Sequence, residues 1–167
     1  MKTAKVITLY LLIFFVTGYG FLGLIDILNP WEQHFDTLTW SKYWKISDGY
    51  MGKRMPIYAL IWVMLTLINL ILFYKTRKIS PIFWMILVTL LIFIGDIAFT
   101  ITNQIPLNQM IQSMDLNHVT PEQMQKLEIM RAKDVENFGT RRIAGWLMFF
   151  IMSITPYLLP RLNQKTN

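Results

Sequence analysis

The chain has no cysteine, which excludes a disulfide framework, a thiolate metal site and a cysteine nucleophile together. Charge is scarce as well: 16% of the 167 residues are charged and 54% are apolar, the balance of a membrane protein and not of an ordinary soluble domain. The two histidines, His34 and His118, stand far apart and form no H-x-x-x-H spacing, so neither a metal nor another cofactor is expected. No internal repeat, low-complexity tract or linker interrupts the sequence, and a single domain over residues 1–167 is expected. Lys2 and Lys5 precede an apolar run, but the run continues through Ile25 without an A-x-A-like site, so a retained first span is expected.

What the chain does have is four long apolar runs. They predict spans at about 6–28, 55–74, 81–102 and 142–160, because about 20 helical residues at 1.5 Å each cover a hydrocarbon core of roughly 30 Å. Lipid offers no partner to a backbone N–H or C=O, so each run should be a helix. The expected fold is all-α, an integral membrane four-helix bundle with two extracytoplasmic segments, the second partly helical.

The charges divide by side. The two ends and the connection between the second and third spans carry Lys2, Lys5, Lys75, Arg77, Lys78, Arg161 and Lys165 and no acid, while all ten acids fall elsewhere. Short basic connections stay cytoplasmic, which predicts both termini inside a bacterial cytoplasmic membrane. The net charge of +6 is then a topology signal, and nucleic acid is not an expected partner; membrane lipid is, and an oligomer is compatible.

Two longer segments face the other side. The first holds Trp31, Trp40, Tyr43, Trp44 and Tyr50, a density expected of rings lying at headgroup level along the membrane surface. In the second, Leu107, Met110, Ile111 and Met114 have the spacing of a short amphipathic helix. Thr120-Pro121 with Gln123 then combines a capping box and a first-turn proline. The helix it starts is expected to run through Val135 and Phe138 into the fourth span, with Gly139 as a bend.

The third span carries the chemistry. Thr89, Asp96, Thr100 and Asn103 share one face of a regular helix that is otherwise apolar. An ionised Asp96 roughly 10 Å deep needs a partner, a proton or water. Arg141 and Arg142 open the fourth span and either can supply a guanidinium. Tyr19, Gly23 and Asp26 align on the first span, Gly20 and Gly23 allow close helix approach, and Arg142, Trp146, Phe149 and Ser153 align on the fourth. Asn69 reads as an interhelical hydrogen-bonding residue. Asp26, Thr100, Asn103, Asn108 and Trp146 are the candidate ligand-binding residues around a cavity or polar plug near the non-cytoplasmic face.

The stretch ITNQIPLNQMIQSMD (residues 101–115), followed by a polar helix and RRIAGWLMFF (residues 141–150), resembles the anthrone oxygenase-like family of small four-span membrane proteins. Pro106, Leu107 and Asn108 match that family's N-x-P-L-N element, with Asn103 near its leading asparagine, and Arg141 or Arg142 matches its arginine. The resemblance implies cofactor-independent oxidation of a flat aromatic or quinone-like molecule by molecular oxygen, with Asp96 as general base and Arg141 or Arg142 stabilising the phenolate. The alternative expectation is a non-enzymatic protein that binds a lipid, a quinone or a partner, in which the Asp–Arg pair only docks helices.

Overall fold

The computed structural model describes the backbone of residues 2–28 and 34–165 and the side chains of residues 3–20 and 34–160. The regular elements among these are helices: α1 (Lys2–Leu28), α2 (Thr37–Met51), α3 (Met55–Phe73), α4 (Ile82–Phe99), a π-helical turn (Thr100–Gln104), α5 (Ile105–Ser113), α6 (Pro121–Ser153) and α7 (Thr155–Lys165). Four helical stretches are long and apolar enough to cross a membrane: Thr3–Gly20, Met55–Thr76, Ile82–Ser113 and Pro121–Pro160. The protein is an integral membrane helical protein with the expected four spans. Asp26 and Trp31 lie outside the described side chains.

The spans form a square in which α1 and α4 are each flanked by α3 and α6. Its interior is Leu9, Leu12, Val16, Trp62, Phe73, Ile82, Ile86, Phe93, Met148 and Met152. Asn69 ties α3 to α1 as expected of it, donating to the Thr8 carbonyl at 3.0 Å and accepting from the Thr8 hydroxyl at 3.2 Å. Helices α1 and α6 pack tightly where a Cβ on Gly20 would lie 3.3 Å from Phe149 and one on Gly145 would lie 3.3 Å from the Tyr19 ring. Glycine at these two places lets the helices meet at the depth of the polar site.

Proline shapes both long helices. Pro106 has no N–H for the Thr102 carbonyl, and its ring would clash there in a regular helix. The chain widens instead into the π turn, where the Ile105 N–H reaches the Thr100 carbonyl. Pro156 likewise has no N–H to offer the Met152 carbonyl; α6 ends, and that carbonyl accepts from the Ile154 N–H and, at 2.7 Å, from the buried Thr155 hydroxyl. At its other end α6 begins with the expected capping box of Thr120 and Gln123. It runs unbroken through Gly139 to Ser153.

At the end of the bundle away from α7, helices α2, α5 and the first half of α6 pack into a cap. Its core is Trp40, Trp44, Leu107, Ile111, Leu116, Leu127 and Met130. This corrects the expected aromatic belt: Trp40 is 1% exposed and Trp44 is also buried, because a four-residue step on α2 puts both on the face that meets α5 and α6. Tyr43 and Tyr50 keep their exposure.

Candidate functional site

The buried row of α4 runs Ile82, Ile86, Thr89, Phe93, Asp96, and that of α6 runs Leu127, Met130, Asp134, Asn137, Gly145, Met148, Met152. The two rows face each other and carry the polar groups at two levels. At the lower level Asp96, 6% exposed, accepts from Arg141 Nε at 3.2 Å through Oδ1 and from the Tyr19 hydroxyl at 2.5 Å through Oδ2. Arg141 Nη2 closes the triangle by donating to the Tyr19 oxygen at 3.1 Å. The triad joins α1, α4 and α6. The remaining span contributes Trp62, whose ring stacks on Tyr19 at 6.1 Å and packs against Phe93.

An isolated charge at this depth costs about 3 kcal/mol on insertion scales. A carboxylate, a guanidinium and a neutral phenol that saturate one another form a unit without net charge, which an apolar interior tolerates far better. Arg141 is thus the arginine that meets Asp96. Arg142, one helical step or about 100° further round, projects from the neighbouring face and is half-buried. The indole Nε1 of Trp62 is buried and has no acceptor.

The second level lies about 10 Å from the first, seven residues along α6. Gln104 Nε2 donates to Asp134 Oδ1 at 2.6 Å and to Asn108 Oδ1 at 2.8 Å, and Asn108 Nδ2 donates to Asp48 Oδ1 at 2.6 Å. Gln112 and Trp44 join from the flanks, bonding Asp48 at 3.1 Å and Asn108 at 3.3 Å. Two carboxylates, Asp134 and Asp48, are thereby linked through side-chain amides inside the cap.

Comparison with protein-family models, curated proteins and solved structures finds no match to this chain.

Of the residues singled out from sequence, Asp96 and Arg141 come together. Asn108 belongs to the cap chain instead. Thr100 turns its hydroxyl to the Asp96 backbone carbonyl at 2.8 Å and not to the carboxylate. Asn103 bonds Phe99 and Thr102 locally: the extra residue of the π turn gives the inward position to Gln104, so the predicted face of Thr89, Asp96, Thr100 and Asn103 ends at the turn. Trp146 is 36% exposed on the outside of the bundle, and the Asp26 side chain lies outside the described residues. Tyr19, which its spacing aligns with Gly23 and Asp26 on the first span, is the residue of that face that meets Asp96. Asp134 was missed, although the alternating steps of three and four from Leu127 to Asn137 mark it as inward-facing.

Among the described residues no three His, Asp or Glu side chains gather as a metal site. Open grooves among the described residues include two away from the triad. One, of about 500 Å³, lies beside Leu70, Tyr74 and Phe83; the other, of about 350 Å³, lies between α5 and α6. Neither is lined by Asp96, Tyr19 or Arg141.

Proposed function

We propose that the chain is a non-enzymatic, lipid-binding protein of the bacterial cytoplasmic membrane, with both termini cytoplasmic and the cap outside. In this reading Asp96, Tyr19 and Arg141 are a latch between spans. The observation that carries it is the mutual saturation of the three groups: both Asp96 oxygens are already engaged, and neither groove reaches them. A general base must come within hydrogen-bond reach of the proton it removes, and a latch needs no such access. The test is Asp96→Asn in mild detergent, with mass spectrometry of whatever co-purifies. The expected result is lowered stability with lipid retention unchanged in the protein that stays folded. A stoichiometric aromatic or quinone-like molecule, lost in a variant that remains folded, would sink the latch.

One observation favours a second reading, an anthrone oxygenase-like enzyme. The unsatisfied indole N–H of Trp62 sits beside Tyr19 and could meet an oxygen of a flat aromatic substrate. Asp96 would then be the base and Arg141 the phenolate partner. Oxygen uptake on adding an anthrone, abolished by Asp96→Asn, is its signature.

A further inference from the structure

We propose that the groove between α5 and α6 holds the headgroup of an anionic phospholipid from the outer leaflet. This deepens the lipid-binding reading and rests on it. The argument starts from depth. A span of about 20 residues that begins at Ile82 leaves the hydrocarbon near Ile101, so Asn103, at the groove's lower rim, stands in the headgroup layer. The Gln104–Asp134 hydrogen bond sets the register of the facing helix and brings Lys133 to the same depth. Lys126 lies two turns, or about 10 Å, further out on the same face of α6.

The walls match a lipid. Pro106 and Met110 on one side and Ile129 on the other are exposed apolar residues beyond the hydrocarbon; Met110 is 52% and Ile129 64% exposed. Just below the rim, exposed Ile101 begins the lipid-facing surface of the span, along which acyl chains can descend. Basic charge sits at both ends of the apolar strip. Lys133 makes no ion pair among the described residues, and Lys126 meets only the exposed Glu122, at 3.2 Å. The volume of about 350 Å³ is at the lower end of the ligand-cleft range, enough for a headgroup with the chains outside. An apolar strip with one exposed ammonium group at phosphate depth and a second at its outer end complements an anionic amphiphile better than a neutral one.

The test uses the full chain reconstituted with phosphatidylcholine alone or mixed with phosphatidylglycerol, then released for native mass spectrometry. Phosphatidylglycerol should be retained in preference. Lys133→Gln and Lys126→Gln should each lower that preference about fivefold and together roughly 30-fold, since a basic residue near an anionic headgroup contributes about 1 kcal/mol. Lys42→Gln, an exposed lysine on α2 away from the groove, should leave it unchanged. Equal retention of the two lipids, undiminished preference in the double lysine variant, or an equal loss with Lys42→Gln would each overturn the groove. Retained lipid that ignores the lysines leaves lipid binding itself standing at another place. No retained lipid, together with an aromatic molecule that depends on Asp96, removes the groove and the broader reading together.

Discussion

The bundle and the cap are built largely on the same two long helical stretches, α4 continued by α5 and α6, yet they are held together differently. In the bundle, outward residues such as Phe14 and Ile71 are as apolar as the inward ones; burial from water does not sort the two faces, and lipid does not penalise exposure. Specificity there comes from close glycine contacts at Gly20 and Gly145, from the Asn69–Thr8 tie and from the triad. In the cap, water makes burial of Trp40, Trp44, Leu107 and Leu127 favourable in itself, and the amide chain between Asp134 and Asp48 fixes which way the three helices face. Polar groups are the main specifying element below and an addition to an apolar core above.

Inserting one alanine after Thr102 gives the largest test of that division. With one residue added beyond the π turn's own extra one, α5 rotates by about 100° relative to α4, turning Gln104, Leu107 and Ile111 away from α6. The cap should lose its protection in amide exchange and proteolysis while the four spans still insert; loss of insertion would mean that the two regions are one folding unit. Next is Arg141→Gln, which strands a buried carboxylate and should cost about 3–5 kcal/mol in detergent unfolding. Adding Asp96→Asn should recover a good part of that loss, and simple additivity would refute the coupling.

Gln104→Leu removes the amide between Asp134 and Asn108 and should cost about 1–3 kcal/mol, read as faster exchange in α2 and α5 with the span amides unmoved. The smallest effect is acid sensitivity of the cap. Asp36 is held below its ordinary value of 3.8 by the Thr39 hydroxyl and backbone N–H, and Asp115 by the Asn117 N–H and by His118. Groups lowered in the folded state stabilise it above the unfolded value, and that contribution is lost as pH falls below about 3.8 through the folded values. Amide exchange at the start of α2 should therefore rise below that pH before any change in the spans. Asp36→Asn, which keeps a capping oxygen without the charge, should flatten the response.

Much of this arrangement was legible in the residues. Apolar run length gave the spans, Thr120-Pro121 with Gln123 gave the start of α6, the three-four spacing around Leu107 gave α5, and the lone acid in the third span singled out Asp96. The π turn was not legible as such. Pro106 warned of a disturbance, but whether a proline kinks a helix, ends it or widens one turn depends on what its neighbours can satisfy, and at Pro156 the same residue ends the helix. Extending α4 with a regular period therefore put Asn103 inward where Gln104 sits. The tryptophans of α2 were open to two readings because an indole suits both a headgroup layer and a core.

The sequence by itself determined that the chain crosses the membrane as helices, how many spans it has and which span holds a costly charge, because hydrocarbon thickness and desolvation act on local composition. Only the tertiary structure decided that Arg141 and not Arg142 meets Asp96, that Tyr19 completes the triad, and that Asn108 serves the cap. Those choices depend on helix rotation and register, which are set by glycine contacts on one helix pair and by one extra residue in a single turn.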